Sequence, residues 1–398
     1  VISVDVHLAR VLDLVAPLEP VSMPLQDARG LVLAERVVAP RNLPPFDNAA
    51  MDGYAVRSED LARQGIPATL RVIGAVFAGD VAAATVVAGT AMRIMTGAPV
   101  PPGADTVVPV ELTDDGSGEV RIKVGVETGA HIRRAGEDLA GGMVAVDSGA
   151  TINARNIALL AACDRSHVLV QSRPRVTVIS TGDELVVAGR PVGPGQIVDS
   201  NGPMLLAAIE ECGAVARHIG PVADTPEAVR AALTEASATS DLIVTSGGVS
   251  MGTRDTMKEV LRELGSVEFS KVAMSPGMPQ GSGTVHGTPI VALPGNPVSS
   301  FVSFEVFVRP VLRRLLGHAD LQRPRRSATL AVAMGSPGNK RQYARAVLRG
   351  DDQLTVMPVV GQGSHFIGDL AQADCLVVVA EGVDALAAGA TVTVLDLR

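Results

Sequence analysis

The chain has 398 residues and a formal net charge of -8; 47% of it is apolar, 19% is charged, and tryptophan is absent. That length exceeds one ordinary core and predicts roughly two to four domains, while the composition excludes a disordered or fibrous chain. With no dominant block of Lys and Arg, the acidic balance argues against nucleic-acid binding, although turn amides and single arginines still hold a small anion locally.

The first stretch, VDVHLARVLDLV at residues 4–15, has apolar positions at helical spacing. DARGLVLAERV reads as a second short helix. RNLPPFDNAAMDGYAV, rich in Pro, Asn, Asp and Gly, reads as an irregular loop. From Leu70 to Val146 short Val-rich segments alternate with Gly turns, which predicts a small all-β domain. INARNIALLAACD reads as a helix that returns the chain to the unit of the first helix, making the β region an insertion in a discontinuous domain.

At Arg175 the pattern changes. RVTVIST is a continuous apolar run, as expected of a strand covered on both faces. Helices over NGPMLLAAIEECG, TPEAVRAALTEAS, DTMKEVLRELG and VSSFVSFEVFVRPVLRRLLG alternate with strands over VARHIGPV, DLIVTS and PIVAL. That alternation predicts a doubly wound parallel sheet. From about Gln322, after the Arg323–Arg326 linker, short strands return and predict a second β module, a barrel.

Cys163, Cys212 and Cys375 match no zinc or disulfide spacing and read as buried thiols. No signal pattern and no membrane-length apolar run is seen, so the expectation is a cytoplasmic protein that uses no membrane. His131, His167, His218, His286, His318 and His365 show no metal-ligand spacing.

Three strands of the α/β region run into polar, Gly-rich turns: Gly182-Asp183-Glu184, Gly247-Gly248 with the segment to Asp255, and Pro294-Gly295-Asn296-Pro297. In open parallel sheets ligands bind outside the carboxyl ends of strands, so these turns should share one rim. Glycines allow close backbone approach to a phosphate-like ligand. The candidate ligand residues are Ser180, Gly182, Asp183, Ser246, Gly247, Gly248, Ser250, Gly252, Pro294, Gly295, Asn296 and Pro297. The segment matches neither the Walker pattern nor the dinucleotide fingerprint. Each turn, taken alone, is equally explained as a tight connection, with Asp255 as a helix cap.

Carboxylates recur in turns: Asp52 in MDGYAV, Asp138 in RRAGED, Asp183 and Glu184 in TGDEL, Asp224 in VADTP, and Asp255. Beside anionic substrates such groups hold a divalent cation or protonate leaving oxygens; the plain alternative is turn chemistry. Thr96 in MTGAPVPPGAD either donates to an oxyanion or caps a turn.

The stretches PPFDNAAMDGYAV, IMTGAPVPPGADTVVPVE, RRAGEDL, VISTGDEL, GQIVDSNGPML, TSGGVSMGTRD and ALPGNPVSSFVSFEVFVRPVL together resemble the molybdopterin molybdenumtransferase family, which includes the E domain of gephyrin. The resemblance implies four parts: a discontinuous N-terminal dimerisation unit (1–40 and 140–172), an inserted β domain (41–139), an α/β molybdopterin-binding domain (173–320) and a C-terminal β barrel (321–398). It implies a homodimer that takes adenylylated molybdopterin and molybdate, with Mg2+, to molybdenum cofactor, AMP and water. The molybdopterin adenylyltransferase becomes a partner. By motif match Asp52, Thr96, Asp138, Glu184, Asp224 and Asp255 are catalytic, with Asp183, Glu184 and Asp255 as metal ligands; Pro294 and Pro297 shape a ligand turn. In KVAMSPGMPQGSG, Lys271 is a candidate anion ligand, but Ser275 and Met278 stand where family members commonly carry lysine, and Ala49 stands where Ser is common. Two other readings stay open: a non-catalytic pterin-binding or scaffold paralogue, and the adenylyltransferase itself.

Overall fold

In the computed structural model, which describes residues 1–81, 84–249, 256–350, 353–361 and 363–398, the apolar run Arg175–Thr181 is strand β1, buried from Val176 onward. After it come helix α1 (Asn201–Glu211), strand β2 (Val215–Val222), helix α2 (Pro226–Thr239), strand β3 (Leu242–Ser246), helix α3 (Thr256–Leu264), and strands β4 (Gly265–Lys271), β5 (Pro279–Val285) and β6 (Thr288–Leu293). The sheet order is β2-β1-β3-β6-β5-β4. Neighbours from β2 to β6 are parallel, as the strand–helix alternation predicts.

The other two strands correct that expectation. β5 runs antiparallel to β6 and to β4, so the sheet is mixed. The β5–β6 connection is the two residues His286 and Gly287, both with positive φ (47° and 84°), the backbone of a tight hairpin turn.

Alternation along the buried strands feeds two cores. Val176, Val178, Leu242, Val244 and Val291 pack against α1, the helix Pro297–Ser303 and the segment that continues it to Leu315. Ile179, Ile243 and Ile290 pack against Val229 and Leu233 of α2 and Val260 and Leu261 of α3. Each fully buried Val, Leu or Ile contributes about 1.5–3 kcal/mol. The stretch read as one long helix is interrupted by a π turn at Phe304–Val308, where buried Glu305 accepts two hydrogen bonds from Arg323 at 2.9 and 3.1 Å.

The N-terminal helix Val4–Asp13 buries Val4 and Val11 in the first of these cores, with Val15 just beyond its end. The second expected helix, over DARGLVLAERV, does not form. Gly30 turns the chain at φ 83°, the Leu31 N–H closes that turn on the Ala28 carbonyl, and buried Val32 and Leu33 follow in bridge positions, with Leu33 bridging Val170.

Strands Arg341–Arg349, Thr355–Pro358, Arg325–Leu330, Thr391–Asp396 and Cys375–Val379 pair in that order, and the last pairs again with the first, closing a five-stranded barrel. Ala344, Leu330, Val356, Val377 and Val394 fill it. Everything so far belongs to one compact unit, residues 1–23, 28–34 and 169–398.

The other unit comprises residues 24–27 and 35–168. Its five-stranded sheet has the order Thr106–Pro109, Gly53–Val56, Thr90–Ile94, Ala68–Val76, Glu119–Ile122. The stretch read as an irregular loop therefore supplies a central strand. A β-carbon on Gly53 would fall inside contact distance of the Val108 carbonyl, so glycine is what lets these strands pair. Asn48–Ala49 also pairs, with Ile132–Arg133. The helix Ala154–Ala162, capped by Asn153, lies in this unit, and the helix Val4–Asp13 lies in the other. Among the described residues no helix is long and apolar enough to cross a membrane.

Candidate functional site

The three Gly-rich turns meet. The ends of β1, β3 and β6 line one cleft of about 730 Å3, to which Thr181, Glu184, Ser246 to Val249 and Pro294 to Pro297 all contribute. Gly247 and Gly248 hold φ of 96° and 70°, a conformation open to glycine. The Gly247 N–H donates to the Leu293 carbonyl at 3.1 Å, tying the β3 turn to β6. A β-carbon on Gly247 would stand 3.2 Å from the Thr181 carbonyl, so the turns after β1 and β3 lie against one another.

The β1 turn also engages the turn after β2. The Gly182 N–H donates to the Val222 carbonyl at 3.1 Å, and Asp183 Oδ1 accepts the Asp224 N–H at 3.0 Å. Asp183 is thereby committed to holding Asp224 and is not among the residues lining the cleft, whereas Glu184 and Asp224 are. The Glu184 carboxylate lies beside Gly182, where a β-carbon would meet its Oε2 at 2.5 Å. Among the described residues, the charged groups lining the cleft are the acids Glu184, Asp199 and Asp224, with no Lys or Arg. Lys271 ends β4, in register with Pro279 of the cleft wall; it is exposed and is not among the residues lining the cleft. Ser250, Gly252 and Asp255 lie outside the described residues. Among those described, no group of three His, Cys, Asp or Glu converges as a metal cage.

Several cleft residues escaped the sequence reading. Asp199, Ser200 and Asn201 open α1 at the rim. Asp199 is 4% exposed; its Oδ1 accepts the Gly202 N–H at 2.9 Å, and its Oδ2 lies 3.4 Å from His218 Nε2. Ser180 Oγ stands 3.0 Å from the same His218 nitrogen, so Ser180 sits behind the β1 turn and faces an internal partner. The Asp-Ser-Asn-Gly run before a helix, at a strand-end rim, was the available signal. His365 and Ile367 line the cleft from the barrel. Their segment is fixed by Arg345, 1% exposed, which donates to the carbonyls of Phe366 at 2.7 Å and Gly363 at 3.0 Å. Asn296 Nδ2 reaches the same segment at Ser364 Oγ, 2.8 Å. Leu185, Ile197 and Val198 form an apolar wall.

In the other unit, Asp52 and Thr96 meet directly. Asp52 Oδ1 accepts from Thr96 Oγ1 at 2.7 Å and from the Thr96 N–H at 2.6 Å. Those two bonds, the hydroxyl first, hold the Asp52 carboxyl below its usual range. Asp138 lies apart in an exposed turn and donates its N–H to the Leu43 carbonyl at 3.1 Å.

Comparison with known proteins follows the same lines. Residues 2–163 match the MoeA N-terminal region (domain I and II), residues 177–314 a probable molybdopterin binding domain, and residues 327–397 the MoeA C-terminal region (domain IV). Molybdopterin molybdenumtransferase 2 of Mycobacterium tuberculosis (strain H37Rv) is 46% identical, with 99% of each chain covered. Molybdopterin molybdenumtransferase of Haemophilus influenzae is 35% identical over 93% of this chain and 92% of its own. A molybdopterin biosynthesis MoeA protein from Pyrococcus horikosii superposes with a TM-score of 0.88 at 33% identity, covering 100% of this chain and 99% of its own.

Proposed function

The chain belongs to the molybdopterin molybdenumtransferase family, and from that premise we propose that it inserts molybdenum from molybdate into adenylylated molybdopterin and releases AMP. The observation that carries the reading is the convergence of the 182–184, 247–249 and 294–297 turns on one cleft beside Glu184 and Asp224.

Glycines at 247, 248 and 295 leave the backbone uncovered, so a phosphate can approach it closely. The apolar wall of Leu185, Ile197 and Val198 suits a planar ring. Molybdate must lose oxygen as the two dithiolene sulfurs take the metal, and Glu184 and Asp224 are the acids positioned to protonate departing oxygen. Magnesium binds through one or two carboxylates plus substrate phosphates, so the one of Glu184 and Asp224 that does not deliver the proton would hold it. When bound, the ion would supply positive charge to a cleft whose described charged side chains are acidic.

Asp52, Thr96 and Asp138 enter the same proposal by motif, as does a cytoplasmic homodimer supplied by the molybdopterin adenylyltransferase. The test is to incubate the protein with adenylylated molybdopterin, molybdate and magnesium and follow AMP. Molybdate-dependent AMP release is expected. Adenylylation of the pterin from ATP, or tight pterin binding without AMP release, would overturn the reading.

A further inference from the structure

Asn201, the first residue of α1, lines the cleft and is 8% exposed. An asparagine at a helix start ordinarily turns its oxygen to the free amides of its own first turn. Here Asp199 takes that duty by accepting the Gly202 N–H. Asn201 points its carboxamide elsewhere. Its Nδ2 donates to Ser246 Oγ at 2.7 Å and to the Gly295 carbonyl at 2.7 Å. Ser246 ends β3 and Gly295 lies in the turn after β6, so both N–H groups of one side chain are committed to two different ligand turns. Its Oδ1 is buried with no hydrogen-bond partner among the described residues. A buried acceptor left unpaired is unfavourable, so this orientation is held by its two donor bonds.

We propose that Asn201 is a positioning residue: it clamps the Ser246–Gly248 and Pro294–Pro297 turns at the separation at which both reach one phosphate of the bound nucleotide. The inference rests on the reading that these turns hold the substrate's phosphates. Neither partner belongs to α1 or to the apolar core, so the clamp acts on the geometry of the turns rather than on the stability of the helix. It should act on ground state and transition state alike, which moves KM rather than kcat.

The test uses the full chain with Asn201→Ala and Asn201→Leu, the second keeping the bulk without the donors. AMP binding is measured by titration calorimetry, folding by thermal melting, and KM and kcat by AMP release. AMP affinity should weaken by about tenfold and KM for the adenylylated pterin rise by a similar factor, with kcat changed by less than about twofold. Unchanged AMP affinity in both variants, with or without a lower melting temperature, would overturn the proposal, as would a fall in kcat at constant KM. A wild-type chain that binds no AMP overturns it as well. If the wild-type chain binds AMP through Asn201 yet releases none from the adenylylated pterin, the clamp stands and the proposed reaction falls.

Discussion

A β-carbon on Gly202 would stand 2.6 Å from Nε2 of His218 and 2.7 Å from Oδ2 of Asp199. The missing side chain is what lets the imidazole lie between β2 and the start of α1, in reach of Ser180. In a helix Ala is ordinarily favoured over Gly by about 1 kcal/mol, whereas overpacking a filled site costs about 1–3 kcal/mol. The close approach should win here, because His218 is held on two sides. Gly202→Ala is expected to lose about 1–2 kcal/mol in urea denaturation. A variant as stable as the parent, or more so, would show that His218 has room to move.

The same corner shows what a sequence conceals. β1 and β6 are legible because strands covered on both faces must be apolar throughout, and their turns are legible because Gly and Pro mark them. β4 and β5 are not, since small residues replace the apolar code: a β-carbon on Gly281 would stand 2.9 Å from the Phe269 ring. Gly53–Val56 hides behind Pro, Asn and Asp neighbours that signal a loop. Asn201 is invisible for another reason. Its partners lie 45 and 94 residues away, and no local pattern encodes a clamp between two turns.

His7 predicts a pH dependence of stability. It is 1% exposed, stacks edge-on against Phe307, and neither ring nitrogen has a hydrogen-bond partner among the described residues. Burial, with Arg10 adding to it, pushes its pKa down from 6.5 to about 4. The folded state keeps the ring neutral while the unfolded chain takes a proton below about pH 6.5, so stability falls as pH drops from there toward 4. The loss should reach about 2–3 kcal/mol at about pH 4.5. His318, also lowered to about 4 mainly by burial, acts in the same sense. In urea denaturation at a series of pH values, His7→Leu should therefore flatten the slope in part. An unaltered slope would mean that His7 is not held neutral.

Thr96→Val tests the carboxylate pair of the other unit. The substitution removes the 2.7 Å hydroxyl bond and keeps the 2.6 Å backbone bond. Because the hydroxyl is the larger of the two influences, the Asp52 carboxyl should titrate at a visibly higher pH in the variant. Carboxyl carbon chemical shifts followed against pH report this directly. An Asp52 titration that does not move would mean that the hydroxyl faces solvent.

Glu184→Ala separates chemistry from folding. Glu184 is exposed on the cleft, and among the described residues its carboxylate forms no ion pair; the bond that anchors it is between backbones, the Ile197 N–H to the Glu184 carbonyl at 2.8 Å. Truncating a side chain of that kind changes stability by no more than about 0.5 kcal/mol. Its neighbour Asp183 behaves differently, since loss of that carboxylate frees the Asp224 N–H and loosens the turn after β2. If Glu184 delivers a proton or holds the cation, Glu184→Ala should lower AMP release by about 100-fold or more at an unchanged melting temperature. Asp183→Ala should instead lower both. Normal turnover by the Glu184 variant would remove that residue from the reaction and leave Asp224 as the described acid exposed on the cleft.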